Sequence, residues 1–161
     1  MSKPKYTKFI DKSTQAMLSA IELYNKPNYT YREESFSILM VNAWELLLKA
    51  KKLKDSRGKV SSLYIGINSL LKEIEDENLK LQLDTLIEIR DNSIHFINSN
   101  GYLDKTLVEV ATATLESYNQ IMKEWFNRDL SSYDLYLIPL SLKMPSEFKT
   151  IDLEAESEEC K

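Results

Sequence analysis

The chain contains one histidine, and an arginine lies five residues before it. These residues, Arg90 and His95, enclose the segment RDNSIH. An imidazole takes or gives a proton near neutral pH, and a guanidinium grips phosphate oxygens with two parallel hydrogen bonds. The pair therefore suits cleavage of a phosphodiester. The alternative interpretation is a partly buried core histidine beside a surface arginine.

The spacing of the two residues puts a condition on that chemistry. Five steps along an unbroken α-helix rotate a side chain by about 140° and advance it by about 7.5 Å, so Arg90 and His95 do not share one helical face. Either the helix ends or bends between them, or the long arginine side chain curls back. Another solution is a two-fold dimer through this helix, in which both copies contribute to one cleft.

A second constellation is the acid and base pair of Glu45 and Lys49, which lie one helical turn apart. Such an i,i+4 pair, with the acid first, contributes about 0.3–0.5 kcal/mol on a helix surface. The apolar neighbours Trp44, Leu47 and Leu48 place Glu45 toward the edge of the core, where a carboxylate needs a cationic partner. We therefore expect Glu45 to pair with Arg90, and an ordinary surface pair with Lys49 is the alternative.

A basic run continues the same segment. It places six bases and one acid, Asp55, within eleven residues: Lys49, Lys51, Lys52, Lys54, Arg57 and Lys59. Such a run could hold a nucleic-acid backbone, and we take its first five bases as candidate substrate-binding residues. Cations also collect at helix C-termini because they complement the helix dipole. No aromatic residue interleaves with the run, so the sequence does not predict a base-stacking surface.

Composition predicts a single domain with a substantial core. The chain has 161 residues, of which 43% are hydrophobic, and its formal net charge of −4 gives no general attraction to nucleic acid. Any RNA contact would therefore need a local basic patch. The single Cys160 excludes an internal disulfide and a zinc site built on cysteine pairs, and we expect no metal and no cofactor. Without a signal peptide or an apolar run of roughly 18 residues, the protein is predicted to be cytoplasmic and free of the membrane.

The apolar periodicity predicts an all-α bundle of four to five helices. Only three Gly and four Pro are present, so few hairpin turns are expected. The predicted helices cover about 8–25, 32–53, a shorter stretch within 63–74, a fourth that starts near 75–78 and reaches His95, and about 107–125. The helical domain is predicted over 1–127. Residues 128–161 are expected to be an extended segment with an acidic tail, which could link to a further C-terminal domain.

These features together resemble the HEPN superfamily, the higher eukaryotes and prokaryotes nucleotide-binding domains. The resemblance rests on Arg90-x4-His95 near the end of a late helix and on Glu45-x3-Lys49 on an earlier long helix, and it covers roughly residues 8–127. Residues 31–50 also resemble an uncharacterised bacterial family of that superfamily, which carries only a domain-of-unknown-function label; their sequence is YREESFSILMVNAWELLLKA.

The resemblance implies a metal-independent endoribonuclease, a toxin or an effector of phage defence, that acts on RNA such as tRNA as a homodimer. His95 would be the general acid and base, and Arg90 the phosphate-binding residue. Asp91 occupies the polar position after the arginine, Glu45 would hold Arg90, and Lys49 would support them. One departure is Ile97, because members paired with a nucleotidyltransferase antitoxin often have tyrosine there. Regulation by that antitoxin is therefore not expected, and the sequence does not identify another inhibitor or a sensor protein.

In such a reaction the RNA 2′-hydroxyl attacks the adjacent phosphate and leaves a 2′,3′-cyclic phosphate and a 5′-hydroxyl. Two other classes stay open. The first is a non-catalytic HEPN-like module that binds RNA, nucleotide or a partner chain. The second is a pure dimerisation module, which the apolar helix faces and the negative net charge favour.

Overall fold

The computed structural model describes residues 4–59, 64–95 and 102–133, and within them every side chain except those of 93–95 and 102–108. Five α-helices are present in these ranges: α1 (Lys5–Asn25), α2 (Arg32–Asp55), α3 (Ile67–Leu71), α4 (Glu77–His95) and α5 (Tyr102–Phe126). A 3-10 turn follows at Leu130–Tyr133, and the described ranges contain no β-strand. The predicted all-α bundle is confirmed.

The four long helices lie where they were predicted, but α1 begins three residues and α5 five residues before the predicted starts at about 8 and 107. Two further differences concern α3 and the end of the domain. Helix α3 is a short piece after Gly66, less than the stretch predicted within 63–74, and residues 60–63 lie outside the described ranges. The packed chain also continues past the predicted boundary at 127, because the Leu130 N–H donates to Asn119 Oδ1 at 2.9 Å. Of the extended segment and acidic tail predicted over 128–161, residues 134–161 lie outside the described residues.

Helix α2 is the centre of the bundle. It packs against α1, α3, α4 and α5. Met40, Trp44 and Leu47 are fully buried, and buried side chains lie around most of its circumference. A helix that is apolar on most sides must be surrounded by others. Measured over the described residues, no helix combines the length and the apolar character needed to cross a lipid bilayer.

A side-chain cap sets the start of α4. Asp76 Oδ1 accepts the backbone N–H groups of Asn78 at 2.9 Å and Leu79 at 3.1 Å. This satisfies two of the donors that the first turn of a helix leaves without a partner. Because the start of α4 is defined, so is the register in which its later residues, Arg90 among them, meet the core.

A buried polar contact joins three helices. Ser13 on α1 donates to the Ala43 carbonyl on α2 at 2.6 Å, and its Oγ lies 2.6 Å from the Tyr118 hydroxyl on α5. Since the one hydroxyl hydrogen of Ser13 goes to the carbonyl, Tyr118 donates to Ser13. The Tyr118 ring meets Trp44 edge-on, with 5.3 Å between ring centres. Both aromatic side chains are fully buried, so this contact determines how the three helices meet.

Candidate active site

Arg90 continues the buried stripe of α4. Leu83, Leu86 and Ile87 precede it by one or two helical turns on the same face, and all three are buried. The Arg90 side chain is only 24% exposed. A charged group therefore takes the place where the apolar pattern would put another core residue. A guanidinium in this setting needs an acceptor.

Asp91 supplies that acceptor. Arg90 Nε donates to Asp91 Oδ1 at 2.9 Å, and Arg90 Nη2 lies 2.8 Å from the same oxygen. The Asp91 side chain is 53% exposed and lies about 100° around the helix from Arg90. The pair therefore turns the guanidinium from the core stripe toward solvent, where a phosphate could reach it.

The expected ion pair between Glu45 and Arg90 is not formed in the described chain. Lys49 Nζ instead donates to Glu45 Oε1 at 2.5 Å, and the Lys49 and Glu45 side chains are 14% and 27% exposed. Glu45 and Arg90 thus each pair with a residue of their own helix. The physical reason is that each already has an opposite charge within reach on its own helix, at i,i+4 for Glu45 and at the next position for Arg90, whereas a bond between helices must order two long side chains.

His95 is the last residue of α4, and its side chain lies outside the described part of the chain. Because α4 runs unbroken from Glu77 to His95, the alternative in which the helix ends between Arg90 and His95 is wrong. The rotation of about 140° between the two positions therefore applies. A shared phosphate then requires either the full reach of the arginine side chain or a second copy of the chain.

The outward face of α4 is acidic. Asp84, Glu88 and Asp91 recur on it about once per turn and are exposed, and Leu81, one turn earlier, is 65% exposed. A two-fold contact centred on this stripe would set like charges against each other, which is unfavourable. The dimer through α4 stays a prediction, and any such dimer must centre on a different side of the helix, closer to Arg90.

The basic run of α2 divides between two faces. Lys49 pairs with Glu45, and Lys52 pairs with Glu73 in the segment between α3 and α4. These two lysines are one turn apart and both are compensated by an acid. Arg57 and Lys59, beyond the helix, are exposed. The run is therefore not one continuous phosphate-binding patch.

Lys51 and Lys54 face the end of α5 instead. Lys51 Nζ lies 5.1 Å from the centre of the Trp125 ring, and Lys54 Nζ lies 5.1 Å from that of Phe126. Lys54 also donates to the Trp125 carbonyl. The sequence reasoning missed these aromatic neighbours because they come from a distant helix. The only signal was the adjacent Trp and Phe at the end of the predicted fifth helix.

The comparisons with known proteins assign a family without an activity. A family model described as "Domain of unknown function (DUF3644)" matches residues 8–161. Neither the curated proteins nor the solved structures contain a match to the chain. The family match covers Glu45, Arg90 and His95, while the resemblance to the HEPN superfamily stays a prediction. The chain belongs to the DUF3644 family.

Proposed function

We propose that this protein is a metal-independent endoribonuclease, a toxin or phage-defence effector, that cleaves RNA through His95 and Arg90. The observation that carries the proposal is the setting of Arg90. Arg90 continues the buried stripe of α4 near its end, its guanidinium is held toward solvent by Asp91, and it precedes the single histidine by five residues. Packing alone would favour an apolar side chain at this position, so the charge supports an anionic ligand.

The roles follow from the chemistry of RNA. His95 would take the proton from the 2′-hydroxyl or give one to the leaving 5′-oxygen, and Arg90 would neutralise charge on the phosphate. The ion pair with Asp91 is half exposed, and exposed pairs contribute only about 0–1 kcal/mol. A phosphate oxygen can therefore take over a guanidinium N–H from Asp91 at small cost.

The proposed mechanism includes a second copy of the chain, and the unbroken helix α4 supports this part of the proposal. Within one chain, Arg90 and His95 point about 140° apart. In a two-fold pair, the histidine of one copy and the arginine of the other would meet the same phosphate.

The second candidate is a non-catalytic module that binds RNA or nucleotide, or that pairs with another chain. It is favoured by the contact between Glu45 and Lys49 at 2.5 Å. The acid that was expected to orient Arg90 is engaged elsewhere, and only the exposed Asp91 holds the guanidinium.

The test is cleavage of total tRNA by the purified protein with a chelator present throughout. The wild type should produce fragments with 2′,3′-cyclic phosphate and 5′-hydroxyl ends. His95→Ala and Arg90→Ala should each lower the rate by about 100-fold or more, because each removes a group that acts in the transition state.

Arg128→Ala is the matched control for Arg90→Ala. Arg128 is also an arginine paired with an exposed aspartate, Asp11, at 2.7 Å, but it lies after the end of α5. This control should cleave at the wild-type rate. Full activity in a folded His95→Ala protein would overturn the proposal, and RNA that is bound but uncut by the wild type would favour the second candidate.

A further inference from the structure

Lysine and aromatic side chains meet where α1 begins and where α2 and α5 end. We name the group Lys51, Lys54, Trp125, Phe126 and Tyr6 the lysine–aromatic cluster. Besides the contacts of the two lysines with the rings of α5, the Tyr6 ring lies 6.2 Å from that of Phe126 at an angle of 28°. The three aromatic side chains are partly exposed, so part of each borders solvent beside the ammonium groups.

The cluster is a local excess of positive charge. Lys51 has an acid partner, Asp55 at 3.1 Å, but that carboxylate is 56% exposed and the pair is weak. Lys54 is exposed and meets no carboxylate within the described residues; its contacts are the Trp125 carbonyl and the Phe126 ring. The exposed Arg57 and Lys59 follow directly in the chain. In a protein with a net charge of −4, such a region stands out.

The cluster lies away from Arg90. Ser117 on α5 donates to Gln82 on α4 at 2.9 Å, and this bond aligns the two helices, which a short connection joins as an antiparallel pair. From that level, Arg90 lies about 12 Å along α4 in one direction and Phe126 about 13 Å along α5 in the other. The two sites are thus separated by roughly 25 Å along the bundle.

We propose that the lysine–aromatic cluster binds single-stranded RNA, with its ammonium groups on the phosphates and a base stacked on Trp125. Cations beside a phosphate backbone release counterions, and stacking of a base on an aromatic ring contributes about 1–3 kcal/mol without selecting a sequence. A duplex would not offer its bases to the rings. The cluster is then a second contact for the RNA cleaved at Arg90 and His95, a role that rests on the proposed function.

Tryptophan fluorescence tests the base contact. The chain has two tryptophans, and Trp44 is fully buried, so a change of emission on binding reports Trp125. A short oligouridylate is titrated into the His95→Ala protein, in which the RNA stays intact. The emission should be quenched with an affinity that falls as salt rises, and a duplex of the same length should quench less.

Matched lysine variants test the phosphate contact. The double variant Lys51→Gln, Lys54→Gln should bind labelled oligouridylate at least about tenfold more weakly in fluorescence polarisation, because two phosphate contacts are lost. Lys80→Gln is the control, since Lys80 also has a 35% exposed side chain with an acid partner but lies on α4. Trp125→Ala should weaken binding by roughly tenfold as well.

Each outcome is decisive. No quenching, or equal affinity of the double variant and Lys80→Gln, overturns the inference. Equal quenching by an oligoglutamate peptide also overturns it, because the cluster would then take any acidic chain. If binding behaves as expected and the wild type cleaves no RNA, the proposed function fails while the binding surface stands. If the wild type cleaves RNA but RNA does not quench the Trp125 emission, the binding surface fails while the proposed function stands.

Discussion

At the scale of single residues, local partners decide what each charged group does. Glu45 finds Lys49 one turn away, and Arg90 finds the adjacent Asp91. The residue types that could act on a phosphate were readable from the sequence. Their partners were not, because several acids lie within reach of each base and small differences in geometry select among them.

The buried hydroxyl of Tyr118 makes the free energy of unfolding decrease at high pH. Burial raises the pKa of Tyr118 from 10.0 to about 12. Between these values the unfolded chain loses a proton that the folded chain keeps. The stabilisation is therefore complete below a pH of about 10 and falls as the pH rises toward 12, by up to about 2–3 kcal/mol.

Urea unfolding of the wild type and of Tyr118→Phe at a pH of about 8 and of about 11 measures this effect. The wild type should lose more free energy of unfolding between the two conditions, because phenylalanine has no proton to release. The two proteins differ only at position 118, so the contributions of all other groups cancel in the comparison. Equal losses in the two proteins would contradict the assignment.

At the scale of elements, the ends of helices are set by their caps. Helix α2 ends in a Schellman motif, in which the Gly58 N–H donates to the Leu53 carbonyl at 2.8 Å and the Arg57 N–H to the Lys54 carbonyl at 3.2 Å. Arg57 has a φ of 52° and Gly58 a φ of 80°. The left-handed position at the cap is thus held by an arginine, where glycine is the usual residue.

Replacing Arg57 tests the backbone strain at this cap. Arg57→Gly should be more stable than Arg57→Ala by about 1 kcal/mol, because a Cβ is unfavourable at this φ. Both variants remove the same charge, so their difference in the midpoint of urea unfolding isolates the strain. Equal stability of the two variants would show that the left-handed position carries no measurable cost.

At the scale of the whole molecule, we propose that the ribonuclease acts as a pair of copies. The unbroken α4 separates Arg90 from His95 by rotation, and the outward stripe of Asp84, Glu88 and Asp91 opposes a dimer centred on it. A site that combines residues from two chains makes a prediction that a site within one chain does not: two inactive variants can restore each other.

Mixing His95→Ala with Arg90→Ala, after the subunits have been allowed to exchange, tests this composite site. Half of the dimers would contain one copy of each variant, and each of these would have one complete site. About a quarter of the wild-type rate of tRNA cleavage should return. A mixture as inactive as either variant alone, in dimers shown to have exchanged, would rule out a composite site.

The sequence by itself determined the helical class, the places of the four long helices and the spacing of Arg90 and His95, although the start of α5 at Tyr102 lies five residues before the predicted one. These properties depend on contacts within a few turns of one helix, which the apolar period and the capping residues record directly. The sequence left open whether the helix continues from Arg90 to His95. In the structure, α4 continues unbroken to His95.

Only the tertiary structure decided which helix faces meet. Lys54 reaches Trp125 across 71 positions of the chain, and Ser13 reaches Tyr118 across 105. The basic run looked free of aromatic residues in the sequence and became part of a lysine–aromatic cluster in the fold. The physical reason is that an apolar stripe identifies the side of a helix that is buried, but many partner faces satisfy the same burial, and only close packing selects one.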